Sequence, residues 1–223
     1  YYFEQVLDYP ATHIEPDQLS YIPMEDYNLL VISDGRYRWN ERTQQRINNW
    51  INNGGRLIAI GSAIRALDSQ DGFAIDAYAD DSDQQADRRA REEAQLEGRL
   101  NAYGEQSERY ATRAIPGAIF KVNLDQTHPL AFGLGDYYFS LKTGTSYYQH
   151  QLDVWNVGTL GEALFYQGFV GQQAAERMKN TLVFGSENKG RGSVTYFVDN
   201  PLFRAFWENG QFLFSNAVFF VGN

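Results

Sequence analysis

Apolar residues fall along this chain in runs and periods that change partway through. Asn28-Leu29-Leu30-Val31-Ile32-Ser33 and Arg56-Leu57-Ile58-Ala59-Ile60 are continuous apolar runs, the pattern of strands buried on both faces of a sheet. Between them Ile47, Trp50 and Ile51 recur at helical spacing, with Asn40 placed to cap that helix and Gly54-Gly55 to end it. Gly61-Ser62 then turns into a short helix from Ala63 to Leu67. Strand, helix, strand, helix with short connections predicts βαβ units on a parallel sheet. Upstream, Phe3, Val6 and Leu7 predict the end of a helix over Tyr1 to Asp8, stopped by Pro10. Ala11-Thr12-His13-Ile14 reads as a short strand.

The texture shifts after that. From about Asp80 to Arg113 the chain is charged, helix-prone and poor in large apolar residues, which predicts a solvated helical insertion laced with i,i+4 pairs. Strand-like segments follow at Gly117 to Val122, Tyr137 to Leu141, Val154 to Leu160, Leu182 to Ser186 and Ser193 to Val198. Asn188-Lys189-Gly190-Arg191-Gly192 is a hairpin turn, so the last two strands are expected to be antiparallel. A closing helix from about Phe203 to Phe220 carries aromatics almost all round, as a helix wedged between layers does. The expected fold is α/β, with a mostly parallel sheet and antiparallel additions.

Composition narrows the class. The 223 residues suffice for one large domain with a real core, and 43% hydrophobic with 15% aromatic content excludes a disordered chain. Nineteen basic against 28 acidic residues give a net charge of −9, which excludes a general nucleic-acid binder. No cysteine is present, so disulfides, thiolate metal sites and cysteine nucleophiles are all excluded. The final apolar run, Ala217 to Val221, is far short of the ~20 residues that cross a bilayer, and no membrane insertion is expected.

Ligands of an open α/β sheet bind at the carboxyl ends of its strands. Three such ends are legible: Asp34-Gly35-Arg36-Tyr37, Gly61-Ser62-Ala63 and Asp199-Asn200-Pro201. The candidate ligand-binding residues are therefore Asp34, Gly35, Arg36, Tyr37, Gly61, Ser62, Asp199 and Asn200. Against that stands a plainer role for each charge: an Asx turn at Asp34, a carboxylate partner for Arg36, a turn cap at Asp199. Gly61-Ser62 resembles a nucleophile elbow. The small-x-nucleophile-x-small pattern fits Ala59-Ile60-Gly61-Ser62-Ala63, which puts glycine where the nucleophile belongs. His13, His128 and His150 have no metal-ligand spacing, so no catalytic and no metal residue is assigned. Tyr137-Tyr138, Tyr147-Tyr148 and Phe203, Phe206 and Trp207 are aromatic clusters suited to core packing, an interface, or the floor of a sugar or protein site.

Leu29 to Tyr37, followed by Trp50-Ile51-Asn52-Asn53-Gly54-Gly55-Arg56-Leu57-Ile58-Ala59-Ile60-Gly61-Ser62-Ala63, resembles the class I glutamine-amidotransferase-like fold, a flavodoxin-like three-layer sandwich. Ile115-Pro116-Gly117-Ala118-Ile119-Phe120, His128 to Leu134 and Asp199 to Gly210 resemble, more narrowly, the C-terminal amidotransferase-like domain of certain bacterial zinc carboxypeptidases. The resemblance spans most of the chain except the charged insertion. It implies one domain over 1–223 lacking its first strand, as a fragment of a longer protein. The Cys, His and Glu that such amidotransferases use are replaced by Gly61 or Ser62 at the elbow and by Asp199-Asn200-Pro201 late in the chain.

What the resemblance implies is a catalytically silent accessory domain of a zinc carboxypeptidase, extracytoplasmic, with its upstream peptidase domain as partner. No cofactor is expected in this chain, and the zinc belongs to that absent catalytic domain. A sugar- or peptide-binding module is the alternative. A Ser62-dependent hydrolase is a third, and it requires His128 or His150 within about 3 Å of the Ser62 hydroxyl.

Overall fold

The order of strands in the sheet follows from which segments are apolar on both faces. In the computed structural model, which describes residues 1–67, 72–75, 89, 92–93, 95–96 and 106–222, nine strands join one sheet. They are β1 (Leu29–Ile32), β2 (Arg56–Ile60), β3 (Gly117–Leu124), β4 (Tyr137–Lys142), β5 (Tyr148–Gln149), β6 (Trp155–Thr159), β7 (Tyr166–Phe169), β8 (Thr181–Lys189) and β9 (Gly192–Phe197). The helices are α1 (Glu41–Asn52), α2 (Gln106–Arg113), α3 (Gln172–Met178) and α4 (Glu208–Phe219). The strand order is β1-β2-β9-β8-β6-β3-β4, with β5 added on β8 and β7 on β3.

The first βαβ unit forms as its sequence dictates. Asn40 caps α1 by accepting the Thr43 N–H at 2.9 Å, and Ile47, Trp50 and Ile51 are buried. β1 pairs with β2, and β2 with β9, both in parallel. Side chains on β2 alternate between two cores. Leu57 and Ala59 join α1, while Ile58 and Ile60 join Leu213, Phe214, Ala217 and Val218 of α4 on the other face. A helix therefore lies on each side of this part of the sheet.

The remainder of the sheet departs from the mostly parallel expectation. Six of the eight pairings among the described residues are antiparallel, so the sheet is mixed. The reason is in the connections. A parallel return needs a crossover of a dozen residues or more, and the strands after β3 are joined mostly by turns and short loops. The 188–192 hairpin forms as expected, with Lys189 opposite Gly192. The sheet past β8 curls back: Phe120, Val122 and Tyr138 of β3 and β4 share one core with Ile58, Phe197 and α4. A three-layer sandwich is thus not a description of the whole sheet.

Several smaller elements also differ from expectation. Tyr2 to Val6 form one π-helical turn, with the Tyr2 hydroxyl donating to the Gln211 carbonyl at 2.9 Å. Residues 11–14 form no strand, because their neighbours offer no ladder and a short segment alone cannot sustain one. Most of the expected 80–113 insertion lies outside the described residues; α2 at its end is helical. The closing helix is broken. Phe203 to Ala205 make a 3-10 turn and α4 begins only at Glu208, because Arg204 and Ala205 sit at φ 51° and 58°.

Two successive non-glycine residues in the left-handed region are strained. Ala205→Gly is expected to stabilise the chain by up to about 1 kcal/mol, because relief of a left-handed penalty of about 1–2 kcal/mol outweighs the roughly 0.4–1 kcal/mol that glycine adds in unfolded-chain entropy. Thermal melting of the variant checks this, and a lower melting temperature would refute the left-handed assignment.

Candidate functional site

Parallel register brings the three strand ends side by side. Ile32 is opposite Ala59 and Ile60 is opposite Phe197, so the residues after β1, β2 and β9 emerge together. Asp34 turns toward β2, and its Oδ1 accepts the Ser62 N–H at 2.8 Å. Gly61 has φ +59°, and a Cβ added there would stand 2.7 Å from the same Oδ1. A side chain at 61 can enter only if Asp34 releases Ser62. The elbow is closed by its neighbour.

Tyr37 folds back over the same turn. Its hydroxyl donates to the Ser33 carbonyl at 3.1 Å, and its ring lies where a Cβ on Gly35 would meet it at 3.1 Å. Arg36 is exposed and makes no hydrogen bond or ion pair with a described residue.

Asp199 is engaged deeper in. Its side chain is 10% exposed and pairs with Lys142 Nζ, itself 4% exposed, at 2.7 Å. Ser140 Oγ donates to the second oxygen at 2.9 Å. Lys142 also donates to the Ser146 carbonyl at 3.0 Å, and Arg65 donates to Ser146 Oγ at 3.0 Å. Asp199 is therefore linked, through Lys142, Ser146 and Arg65, to the 3-10 helix that starts at Gly61. Burial holds the Tyr138 phenol well above its ordinary value, and the Asp199 carboxylate adds to that shift. The turn cap expected of Asp199 is made by Asn200 instead, whose Oδ1 accepts the Leu202 N–H at 2.9 Å.

Of the eight residues singled out, Asp34, Gly61 and Ser62 thus converge directly, and Asp199 joins them through partners. Gly35 and Tyr37 shape the turn, Arg36 stands free of it, and Asn200 caps the next turn. Lys142, Ser140, Ser146 and Arg65 are the members that sequence reading missed. A faint signal existed in the alternation of β4, where Ser140 and Lys142 share a side; a hydrophobic-inside rule puts that side outward.

The histidines lie elsewhere. His13 Nε2 is 3.4 Å from Glu4, and His128 Nδ1 accepts the Leu130 N–H at 3.1 Å. Burial holds His128 below its ordinary value, against the opposing pull of Asp125. Among the described residues no histidine hydrogen-bonds Ser62, and no three His, Asp or Glu side chains are grouped to hold a metal. An open cleft of about 400 Å³ is lined by Gln126, Thr127, His128, Pro129, Phe132 and Phe220, away from the strand ends. Its polar groups are spent internally: Thr127 Oγ1 donates to Asp125 at 2.6 Å, and Gln126 donates to Asp136.

A second buried carboxyl lies toward the opposite end of β9. Glu187 Oε1 accepts the Tyr196 hydroxyl at 2.6 Å and Oε2 the Ala74 N–H at 3.1 Å. Burial pushes both Glu187 and Tyr196 up from their ordinary values. Both carboxylate oxygens are occupied, which fits a structural tie between strand and loop. No helix among the described residues is long and apolar enough to cross a membrane.

No protein-family model matches the chain, and no curated protein matches it. Among solved structures it is similar to a cytoplasmic protein from Salmonella typhimurium, at 15% identity and TM-score 0.45 over 93% of this chain and 75% of that one. A putative ThuA-like protein from Bacteroides uniformis gives 15% identity and TM-score 0.45 over 90% and 72%. A cold-adapted β-galactosidase from Rahnella sp. R3 gives 13% and 0.38 over 89% of this chain but 23% of that one. These likenesses are distant, and none speaks to a zinc carboxypeptidase context.

Proposed function

We propose that this chain is a non-catalytic accessory module built on an amidotransferase-like, flavodoxin-like core. One observation carries the reading: the Asp34 carboxylate fills the elbow. At a working elbow the side chain of the tight turn attacks, and the N–H of the next residue stabilises the oxyanion. Here the turn residue is Gly61, with no atom to attack with. The next N–H, on Ser62, already donates to Asp34 at 2.8 Å. A carboxylate at that point also repels the negative charge that an oxyanion site exists to hold. The Ser62 hydroxyl stands one residue late and has no histidine beside it.

The resemblance of Ile115 to Phe120, His128 to Leu134 and Asp199 to Gly210 supports attachment to an exported zinc carboxypeptidase, whose zinc is held by an upstream domain. In that setting the module folds, orients or localises the peptidase and performs no bond cleavage itself. Assaying the isolated chain against glutamine, p-nitrophenyl esters and short peptides tests the reading. Turnover no greater than buffer is expected for both wild type and Asp34→Ala. Turnover that Ser62→Ala abolishes would overturn it.

One specific observation favours a ligand-binding role beside this one. Arg36 is an exposed cation at the strand ends with no bond to a described residue, so a carboxylate-bearing peptide or an acidic sugar would meet it first. Binding of such a ligand, measured by calorimetry, is expected to be lost in Arg36→Ala.

A further inference from the structure

β4 is built inside out. Its buried positions are Tyr138, Ser140 and Lys142, while Tyr137, Phe139 and Leu141 point to the other side. The pairing of Lys142 and Ser140 with Asp199 fixes this register, because slipping by one residue would flip every side chain and strand the buried carboxylate. The consequence lies on the outer face.

Register carries that face across three strands. Asn123, Lys121 and Ile119 of β3 stand opposite Tyr137, Phe139 and Leu141 of β4. On the other side of β3, Gly117 and Ile119 stand opposite Phe169 and Gln167 of β7. Lys121 N donates to the Phe165 carbonyl at 2.9 Å, which extends the row to Phe165. Four aromatic side chains on this face remain wet: Phe165 is 67% exposed, Phe169 52%, Tyr137 46% and Phe139 42%. Lys121 is the one charged side chain among these positions, and its ammonium rests 4.5 Å from the centroid of the Tyr137 ring.

An aromatic side chain buries ~150–250 Å² when fully covered, so four at about half exposure offer ~400 Å². Monomers rarely leave more than a few hundred Å² of apolar surface in one patch. Ile119, Leu141 and the stem of Lys121 enlarge it further. Together they make a sizeable part of the ~800 Å² per partner that a stable interface covers, as the apolar centre inside a polar rim.

We propose that this face docks a second copy of the chain, sheet face on sheet face, as a two-fold dimer. Two features select a second copy. The face is a regular three-stranded surface, and such surfaces stack on one another about 10 Å apart. Among the described residues it also carries no carboxylate, although the chain as a whole has a net charge of −9. Like copies repel through their acidic surfaces, so the carboxylate-free face is where two of them meet at least electrostatic cost. Each Lys121 stays over its own Tyr137 ring and needs no carboxylate partner across the interface.

Sedimentation velocity across the micromolar range is expected to show a concentration-dependent species of twice the chain mass. Phe139→Glu and Phe169→Glu, at outward positions of two different strands, are each expected to weaken association roughly thirtyfold or more, the size of a hot-spot loss. Circular dichroism of both variants is expected to match wild type. The absence of cysteine permits a second measurement that needs no disruptive variant. A short thiol-to-thiol crosslinker is expected to trap Lys121→Cys as a dimer while Asp153→Cys stays monomeric. A wild-type monomer throughout the range overturns the proposal and assigns the face to a different protein. So does a dimer that survives both glutamate variants, or Asp153→Cys crosslinking as readily as Lys121→Cys.

Discussion

Lys142→Ala is expected to lower stability by about 3–5 kcal/mol, the cost of removing one partner of a buried ion pair and leaving the other uncompensated. The side chains of Lys142 and Asp199 are 4% and 10% exposed, so water cannot take over the abandoned carboxylate. Position makes the pair matter more than a local contact. Lys142 ends β4, the last strand along the path, and Asp199 follows β9 near the middle, so their 2.7 Å contact closes the curl of the sheet. For a chain of this size the loss corresponds to a fall in melting temperature of roughly 6–20 °C.

The double variant Lys142→Met with Asp199→Leu is expected to recover more than half of the loss, because neither charge is then left buried. Denaturant unfolding of the two single variants and the double one measures the coupling. A loss below about 1 kcal/mol for Lys142→Ala would mean a surface-grade pair, and the curled arrangement would have to be abandoned.

Gly210→Ala is the second large effect, and its sign separates two pictures of α4. On a solvent-facing helix, alanine in place of glycine stabilises by about 1 kcal/mol. Gly210 is instead buried in the first turn of α4, where an added Cβ would stand 1.9 Å from the Pro201 carbonyl oxygen and 2.9 Å from Trp207 Cδ1. The obstacle at Pro201 is backbone, and it lies just past the Asp199 ion pair, so it cannot swing aside. Overpacking of this kind costs about 1–3 kcal/mol and more where the backbone must shift. A net destabilisation of about 3 kcal/mol is expected, with a change in tryptophan emission as Trp207 moves. A gain in stability would show that the helix does not approach the 199–201 loop.

Much of the frame was legible because its signals are local. The apolar runs of β1 and β2, the Asn40 cap, the Ile47-Trp50-Ile51 spacing and the 188–192 hairpin each state their own structure within a dozen residues. β5 and β7 were missed because two- and four-residue strands carry no period; they exist only where β8 and β3 present a ladder. α3, seven residues long, was missed for a similar reason. The mostly parallel expectation extended the grammar of the first βαβ unit beyond its reach.

At the site, the strand-end residues Asp34, Gly61, Ser62 and Asp199 could be picked out because a strand followed by a polar turn is visible in one line of sequence. Lys142 could not. It lies 57 residues from Asp199 along the chain, and no local pattern marks a lysine that will be buried.

The amino-acid sequence by itself determined the first βαβ unit and the 188–192 hairpin, removed cysteine chemistry altogether, and put glycine at the elbow. Those properties belong to residue type and short-range periodicity. Only the tertiary structure decided that Asp34 occupies the elbow, that β4 turns its polar side inward, and that its aromatic side is left facing water. Each depends on what a distant segment brings into contact, and a buried carboxylate must be met by whatever cation and hydroxyl the fold can deliver to it.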